Sequence, residues 1–354
     1  MDQQHIDRLR QHPTLADAEV VETHISWLLL LPEDVYKMKK NVRFSFLDFS
    51  TPAKRKYYCE RELQLNRRLA PELYRRVVGV NPTLSTALTF GPPVPQSVDY
   101  AVAMRRIDRR WEMEALLNRD AVSPADIDRI AERLAAFHAG VVLTDALFNP
   151  IEVLDRLTDI LRYADRLEPL IGPTGLDEIR AGISVARSVL RAFHARFHQR
   201  AVDGFTVDGH GDLHTGNIFL EHGRPILFDC LEFADDLRRI DVLDEVAFLY
   251  VDLEARGRTD LAERFAASYR RGTASAPAEE DELIFSFYRF YRVNVALKVT
   301  AIKISHSPKD APAELTERLH RYLDLHRKYA GRLRESVPTH DPLLAGTRPA
   351  SMSN

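Results

Sequence analysis

Three side chains in one short stretch, Asp212, Asn217 and Asp229, have the types and order that phosphoryl transfer needs. A carboxylate can accept the hydrogen bond of a substrate hydroxyl and aim its oxygen at a γ-phosphate. An amide oxygen and a second carboxylate are hard ligands suited to a magnesium ion on nucleotide phosphates. Asp212 is therefore the candidate catalytic base, Asn217 and Asp229 are candidate metal ligands, and ATP and Mg2+ are the implied cofactors. Asp and Asn are also common in ordinary turns. That explains each residue alone, but not their spacing, the flanking Gly211 and Gly216, and an acid closing the apolar run Pro225-Ile226-Leu227-Phe228.

His210 and His214 lie four apart, which suggests metal ligation. A zinc pair at that spacing sits on one helical face, and Gly209, Gly211 and Gly216 argue against a helix here. His210 is expected to brace the loop backbone. His214 is expected to face the cleft as a substrate contact.

These residues need a scaffold. Val20 to Ile25, Trp27 to Leu31 and the alternating Val35-Tyr36-Lys37-Met38-Lys39 read as three strands. Thr51-Pro52 reads as an N-cap and first helical position, opening a helix from Ala53 to Leu69. Val77 to Val80 and Tyr100 to Met104 read as further strands, with Gly91 to Pro95 as a hairpin tip. Ser123-Pro124 opens a helix that closes on Gly140. Helical stretches follow at roughly 151–167 and 176–198, then short strands and loops over 206–229. Four helical pieces fill Asp241 to Glu335, with breaks near Gly257, Gly272 to Pro277, and Ser307-Pro308. The result is an α+β chain of two lobes. Residues 1–107 are expected to form a nucleotide-binding lobe with its hinge, and 108–335 a helical lobe with the catalytic loop and substrate site. Residues 336–354, rich in Pro, Ser, Thr and Gly, are expected to be a disordered tail.

Composition narrows the classes. Apolar content of 45% and charged content of 29% over 354 residues are those of a globular protein with a large core. A net charge of -3 gives no case for nucleic acid or an anionic membrane as partner. Two cysteines, Cys59 and Cys230, are too few for a disulfide scaffold and fit a reduced cytoplasm. No stretch has the plan of a signal peptide or the length to span a bilayer.

The stretch His210-Gly211-Asp212 to Asn217, with Asp229 closing the next hairpin, resembles the aminoglycoside phosphotransferase family. That family shares the protein-kinase-like fold. The resemblance continues in Asp241-Val242-Leu243-Asp244-Glu245-Val246-Ala247 and implies that Asp241 supports the loop. It implies that Lys37 pairs with the α/β-phosphates, with Lys39 as the alternative, and that Glu62 partners the lysine, with Glu60 as the alternative. It places the adenine against backbone groups of Arg105, Arg106 and Ile107 after Met104. No glycine precedes Gly79. The phosphate-covering loop therefore falls to His24-Ile25-Ser26, with Ser26 as the candidate contact.

Glu22 to Trp27, Val35 to Lys37, Phe46 to Ser50, Asn66 to Pro71 and 210–233 are most similar to a bacterial subgroup of the family. In that subgroup a P-loop domain often follows. The chain has no Gly-x-x-x-x-Gly-Lys-Ser/Thr, so the resemblance implies that this domain is absent and leaves a separately encoded P-loop protein as a candidate partner.

The substrate is less legible. Glu232, Asp235 and Asp236 suit an amine-bearing acceptor, whereas Tyr291, Arg292 and Lys298 suit an anionic one or a sugar. The expected activity is transfer of the ATP γ-phosphate to a small-molecule hydroxyl. The alternatives are a Ser/Thr protein kinase and a nucleotide-binding regulatory module of low turnover. The lack of an Ala-Pro-Glu and of a clear activation segment between Asp229 and Asp241 counts against the first alternative, and intact Asp212, Asn217 and Asp229 count against the second.

Overall fold

The computed structural model describes residues 1–44, 47–143, 147–305 and 313–337. The expected tail beyond Val337, the break at Ser307-Pro308 and Phe46 lie outside the described residues. The chain divides into two compact units, Met1–Arg133 with Gly209–Arg239, and the described residues of Leu134–Asp208 and Ile240–Asn354.

In chain order the elements are α1 (Gln3–Arg10), β1 (Glu19–Glu22), β2 (Ser26–Leu30), β3 (Asp34–Lys39), β4 (Arg43–Phe44), β5 (Leu47–Asp48), α2 (Pro52–Asn66), β6 (Tyr74–Pro82), β7 (Leu88–Gly91) and β8 (Asp99–Arg105). Then come α3 (Met113–Leu117), α4 (Pro124–Ala139), α5 (Pro150–Thr158), α6 (Ala164–Ala192), α7 (His194–Val202), β9 (Thr206–Asp208), β10 (Ile218–Glu221), β11 (Arg224–Leu227) and β12 (Arg239–Asp241). The chain continues with α8 (Val242–Ala255), α9 (Thr259–Gly272), α10 (Glu280–Ser305) and α11 (Ala313–Ser336). This is the expected α+β plan: a strand-rich front, then helices, with one embedded hairpin.

The first unit is built on a sheet in the order β1-β2-β3-β8-β6-β7. Both faces are covered, which is why Trp27 to Leu30 can be apolar without alternation. Trp27, Leu29, Met38, Val78 and Val80 pack on one face with Ile6 and Leu9 of α1. Val35, Val102 and Met104 pack on the other with Cys59 of α2 and Phe219 and Ile226 of the β10–β11 hairpin. Strand period two therefore sends Lys37 and Lys39 to the α2 face. Thr51 caps α2 by accepting from the Lys54 amide, and Pro52 starts it, as the sequence implies.

Two expectations need correction, and one helix went unread. The helix from Pro52 stops at Asn66 rather than Leu69, because residues 67–70 tighten into turns, with the Leu69 and Ala70 amides both donating to the Asn66 carbonyl. Gly91 to Pro95 is not a hairpin tip. β7 and β8 both pair with β6, so this segment crosses between strands that do not pair with each other. The polar N-terminus hides α1, which Asp2 caps and which buries only Ile6 and Leu9.

The second unit is helical. α8 is buried almost all round, and its charged residues are paired. Glu245 meets His138 at 2.9 Å, and Asp244 meets Arg292. α6 carries a kink at Gly172, where φ is 71°. Gly182 of the same helix is a forced choice, because a Cβ there would lie 2.4 Å from Cε1 of His326 on α11.

His326 is fully buried, and neither ring nitrogen has a hydrogen-bond partner. Burial pushes its pKa from 6.5 down to about 3. The unfolded chain takes up this proton as pH falls through 6.5, and the folded chain does not until about 3, so stability falls with pH in that window. Between about pH 7 and pH 5 this group removes roughly 2 kcal/mol. Urea unfolding of wild type and His326→Leu at those two pH values checks it. The leucine protein gains on wild type by about that amount at the lower pH, and a constant difference would refute the assignment.

Candidate active site

The loop from His210 to Asn217 belongs to the first unit and is held at both ends. At one end the Gly209 amide donates to the Arg238 carbonyl at 2.9 Å and the Leu231 amide to the His210 carbonyl at 3.0 Å, and at the other the Phe228 amide donates to the Asn217 carbonyl at 3.1 Å. His210 Nε2 lies 2.8 Å from the Phe228 carbonyl, which can only accept, so Nε2 carries the proton. Its Nδ1 then accepts from the Asp212 amide at 3.3 Å. Gly211 turns the loop at φ 82°, a left-handed value, and a Cβ there would meet the Leu237 carbonyl at 3.1 Å.

Asp212 and Asn217 are joined directly. Asn217 Nδ2 donates to the Asp212 carbonyl at 2.9 Å and lies 3.3 Å from Asp212 Oδ2. That orients the amide nitrogen toward Asp212 and leaves Oδ1 as the end able to ligate a cation. His214 Nδ1 accepts from the Gly216 amide, and its Nε2 is 3.6 Å from Asp212 Oδ2. The Asp212 carboxylate is 39% exposed.

Asn217 leads into the β10–β11 hairpin, whose turn uses His222 and Gly223, both at positive φ. The hairpin returns to Asp229, itself at φ 62°, a region few non-glycine residues adopt. Its amide donates to the Tyr74 hydroxyl at 3.1 Å. The next residue is clamped by Asn66 of α2, whose Oδ1 accepts from the Cys230 amide at 2.8 Å.

Lys37 and Lys39 both reach α2. Lys37 Nζ lies 2.8 Å from Glu62 Oε1 and also meets Asp229. Lys39 Nζ lies 2.7 Å from Glu62 Oε2 and also meets Glu232. Glu60 instead sits on the exposed side of α2 and pairs with Lys56. Burial opposes charge throughout this group, and pairing mostly overcomes it. Asp229 and Glu62 hold the Lys37 ammonium well above its ordinary pKa. Against the same burial, Lys37 and Lys39 keep the Glu62 carboxylate below its ordinary range, and Lys37 does so for Asp229. For Glu232 burial wins, and its pKa is raised despite Lys39.

Met104 is buried in the apolar cluster with Val35, Ile107 and Phe219. The Arg105 amide donates to Leu73 and the Arg106 amide to Glu33, and Arg105 forks onto Glu221 with two 2.7 Å hydrogen bonds. Ser26 is buried, its amide donates to Thr23 Oγ1, and its own hydroxyl has no hydrogen-bond partner. In the second unit Asp241 caps α8 and forks onto the buried Arg200 with two 2.7 Å contacts. Tyr291 and Arg292 are buried, and Arg292 forks onto Asp244, whose pKa burial pushes up to about 6. Lys298 pairs with Asp159 at 3.0 Å.

Asn66 and Tyr74 escaped sequence reasoning, as did the contact between Lys39 and Glu232. The signals for Asn66 were its place one helical turn past Glu62 and at the head of the stretch Asn66 to Pro71 that carries part of the resemblance. A cavity of ≈ 510 Å³ also opens in the first unit, between α2 and residues 232–237. Its lining includes Tyr57, Tyr58, Arg61, Phe233, Asp235 and Asp236.

Among the described residues no group of three or more His, Cys, Asp or Glu is placed to hold a metal ion. Nor is any described helix long and apolar enough to cross a membrane.

Residues 43–283 match the model of the phosphotransferase enzyme family, APH. An uncharacterized protein of Mycobacterium tuberculosis is 31% identical over 309 residues, covering 85% of this chain and 58% of that protein. An uncharacterized protein of Mycobacterium bovis gives the same values. The chain thus spans 58% of the length of the curated relatives it matches. Among solved structures, a choline/ethanolamine kinase family protein from Mesorhizobium loti superposes with TM-score 0.52 at 16% identity, covering 94% of this chain and 98% of that one. Choline kinase from Cryptosporidium parvum gives 0.53 at 11% identity, covering 94% and 96%. Both likenesses are of fold, which is that of the kinase-like phosphotransferases.

Proposed function

This chain belongs to the phosphotransferase enzyme family, and from that premise we propose that it transfers the γ-phosphate of ATP to a hydroxyl of a small molecule. The observation that carries this reading is the joining of Asp212 to Asn217 in one loop, with Lys37, Glu62 and Asp229 gathered beside the same hairpin. In this reading Asp212 accepts the hydrogen bond of the acceptor hydroxyl and then its proton. Lys37, held by Glu62, meets the phosphates. Asn217 Oδ1 and Asp229 would hold Mg2+, which when bound would supply positive charge against the charge developing on the transferring group. The donor set fits that ion. Magnesium on a nucleotide takes one or two protein oxygens and completes its shell with phosphate and water, so an all-protein cage is not required.

Val35, Met104, Ile107 and Phe219 offer an apolar surface for the base. The Arg105 and Arg106 amides are occupied by Leu73 and Glu33, so we assign the backbone contact to the base to Ile107. Ser26 is buried, so we assign it to hold the phosphate-covering turn through its amide bond to Thr23 Oγ1 rather than to touch phosphate through its hydroxyl. His210 and Asp241 act as supports of loop and helix.

For the acceptor, the cavity beside residues 232–237 has the aromatic walls Tyr57, Tyr58 and Phe233, with Asp236 on its lining and Asp235 already paired with Arg61 and Arg238. Those surroundings favour an amine-bearing alcohol or aminosugar, and the volume suits a molecule of that size. Arg292 and Lys298 face Asp244 and Asp159, so this reading gives them no acceptor role. The test is ADP production across a panel of amino alcohols, aminosugars, neutral polyols and phosphorylated sugars, with Asp212→Asn as control. ADP release that no acceptor stimulates, or that survives the substitution, overturns the proposal.

A further inference from the structure

Five charged side chains of the first unit form an unbroken line of alternating sign: Asp229, Lys37, Glu62, Lys39 and Glu232. Its far half is the more buried. Lys39 is 0% exposed, Glu62 is buried equally, and Glu232 nearly so, whereas Lys37 is 13% and Asp229 39% exposed. The two Glu62 oxygens are divided, Oε1 to Lys37 and Oε2 to Lys39. The proposed function calls on Asp229, Lys37 and Glu62 and gives Lys39 and Glu232 no task. A buried ion pair is weak evidence for stability in its own right, so a second lysine and a second glutamate sealed here call for another explanation.

We propose that Lys39 and Glu232 are positioning residues that hold the Glu62 carboxylate from behind, so that it keeps Lys37 directed at the nucleotide phosphates. This rests on the phosphotransferase reading. Charge balance along the line produces the effect. Glu232 keeps Lys39 from drawing Glu62 wholly to itself. Lys39 keeps Glu62 and Glu232 from facing each other as two buried anions, one of which would then take up a proton. Either loss weakens the hold of Glu62 on Lys37. Losing both ends the line at Glu62, with its ion pair to Lys37 intact. Glu232 also ties this arrangement to α2 from outside, because its carbonyl accepts from Arg61 Nε at 3.0 Å.

Calorimetry with magnesium–ATP on wild type, Lys39→Met, Glu232→Gln and the double variant tests the idea, with urea midpoints alongside. Lys39→Met is expected to raise the Kd for magnesium–ATP about tenfold or more, the effect of losing about 1.4 kcal/mol. The double variant is expected to return to within about threefold of wild type, a difference of about 0.7 kcal/mol. A pair serving only the fold would shift the urea midpoint of Lys39→Met and leave its Kd unchanged, and that result overturns the proposal. An equal loss in Lys39→Met and the double variant also overturns it, because Lys39 would then be meeting phosphate itself. Wild type that binds magnesium–ATP but phosphorylates no acceptor overturns the proposed activity alone. Wild type that does not bind it overturns both.

Discussion

Asp212→Asn keeps nucleotide affinity and lowers turnover by a factor on the order of 10²–10⁴, the range that loss of a general base commands. The substitution is close to isosteric, and two of the bonds that hold the loop do not run through the carboxylate. Asn217 Nδ2 keeps its 2.9 Å bond to the residue 212 carbonyl, and His210 still reaches the Phe228 carbonyl. The new amide can still accept a hydrogen bond from the acceptor, but it cannot take the proton. The loss should therefore fall on kcat, while the Kd for magnesium–ATP stays near wild type. Turnover within a few-fold of wild type would remove Asp212 from the chemistry.

Asp229→Ala should abolish magnesium-dependent nucleotide binding, seen as identical calorimetric titrations with and without chelator. Alanine loses the anionic ligand, but it must also adopt the left-handed backbone of residue 229, where φ is 62°. That conformation alone costs about 1–2 kcal/mol for such a residue. Asp229→Asn separates the two effects, because asparagine tolerates this region and keeps the shape. Both variants should lose the metal dependence, and only the alanine protein should also lose stability. Persistent metal dependence in Asp229→Asn would move the cation elsewhere. Lys37 keeps Glu62 as a partner in either variant, so a general collapse of the site is not expected.

The fold was legible where local signals were strong. Thr51-Pro52 marks a helix start by capping chemistry, and Val35 to Lys39 alternates because one strand face meets an apolar layer and the other meets α2. The crossing from β7 to β8 was illegible, because a Pro-rich loop looks the same whether it closes a hairpin or passes over a strand. α1 was illegible because two apolar residues make too short a period to detect. The site divides in the same way. Asp212, Asn217 and Asp229 sit close in sequence, and their spacing speaks for itself. Asn66, Tyr74 and the contact between Lys39 and Glu232 join positions far apart in the chain, and no local pattern announces such a contact.

Lys37 and Asp229 neutralise each other in the structure. Under the proposed function they answer to opposite halves of one ligand, the ammonium to phosphate oxygens and the carboxylate to the cation. Either half arriving alone must open that pair and leave the other member uncompensated. Arriving together, they satisfy both. Nucleotide and divalent cation should therefore show positive cooperativity, and by thermodynamic reciprocity each sharpens the affinity for the other by the same factor.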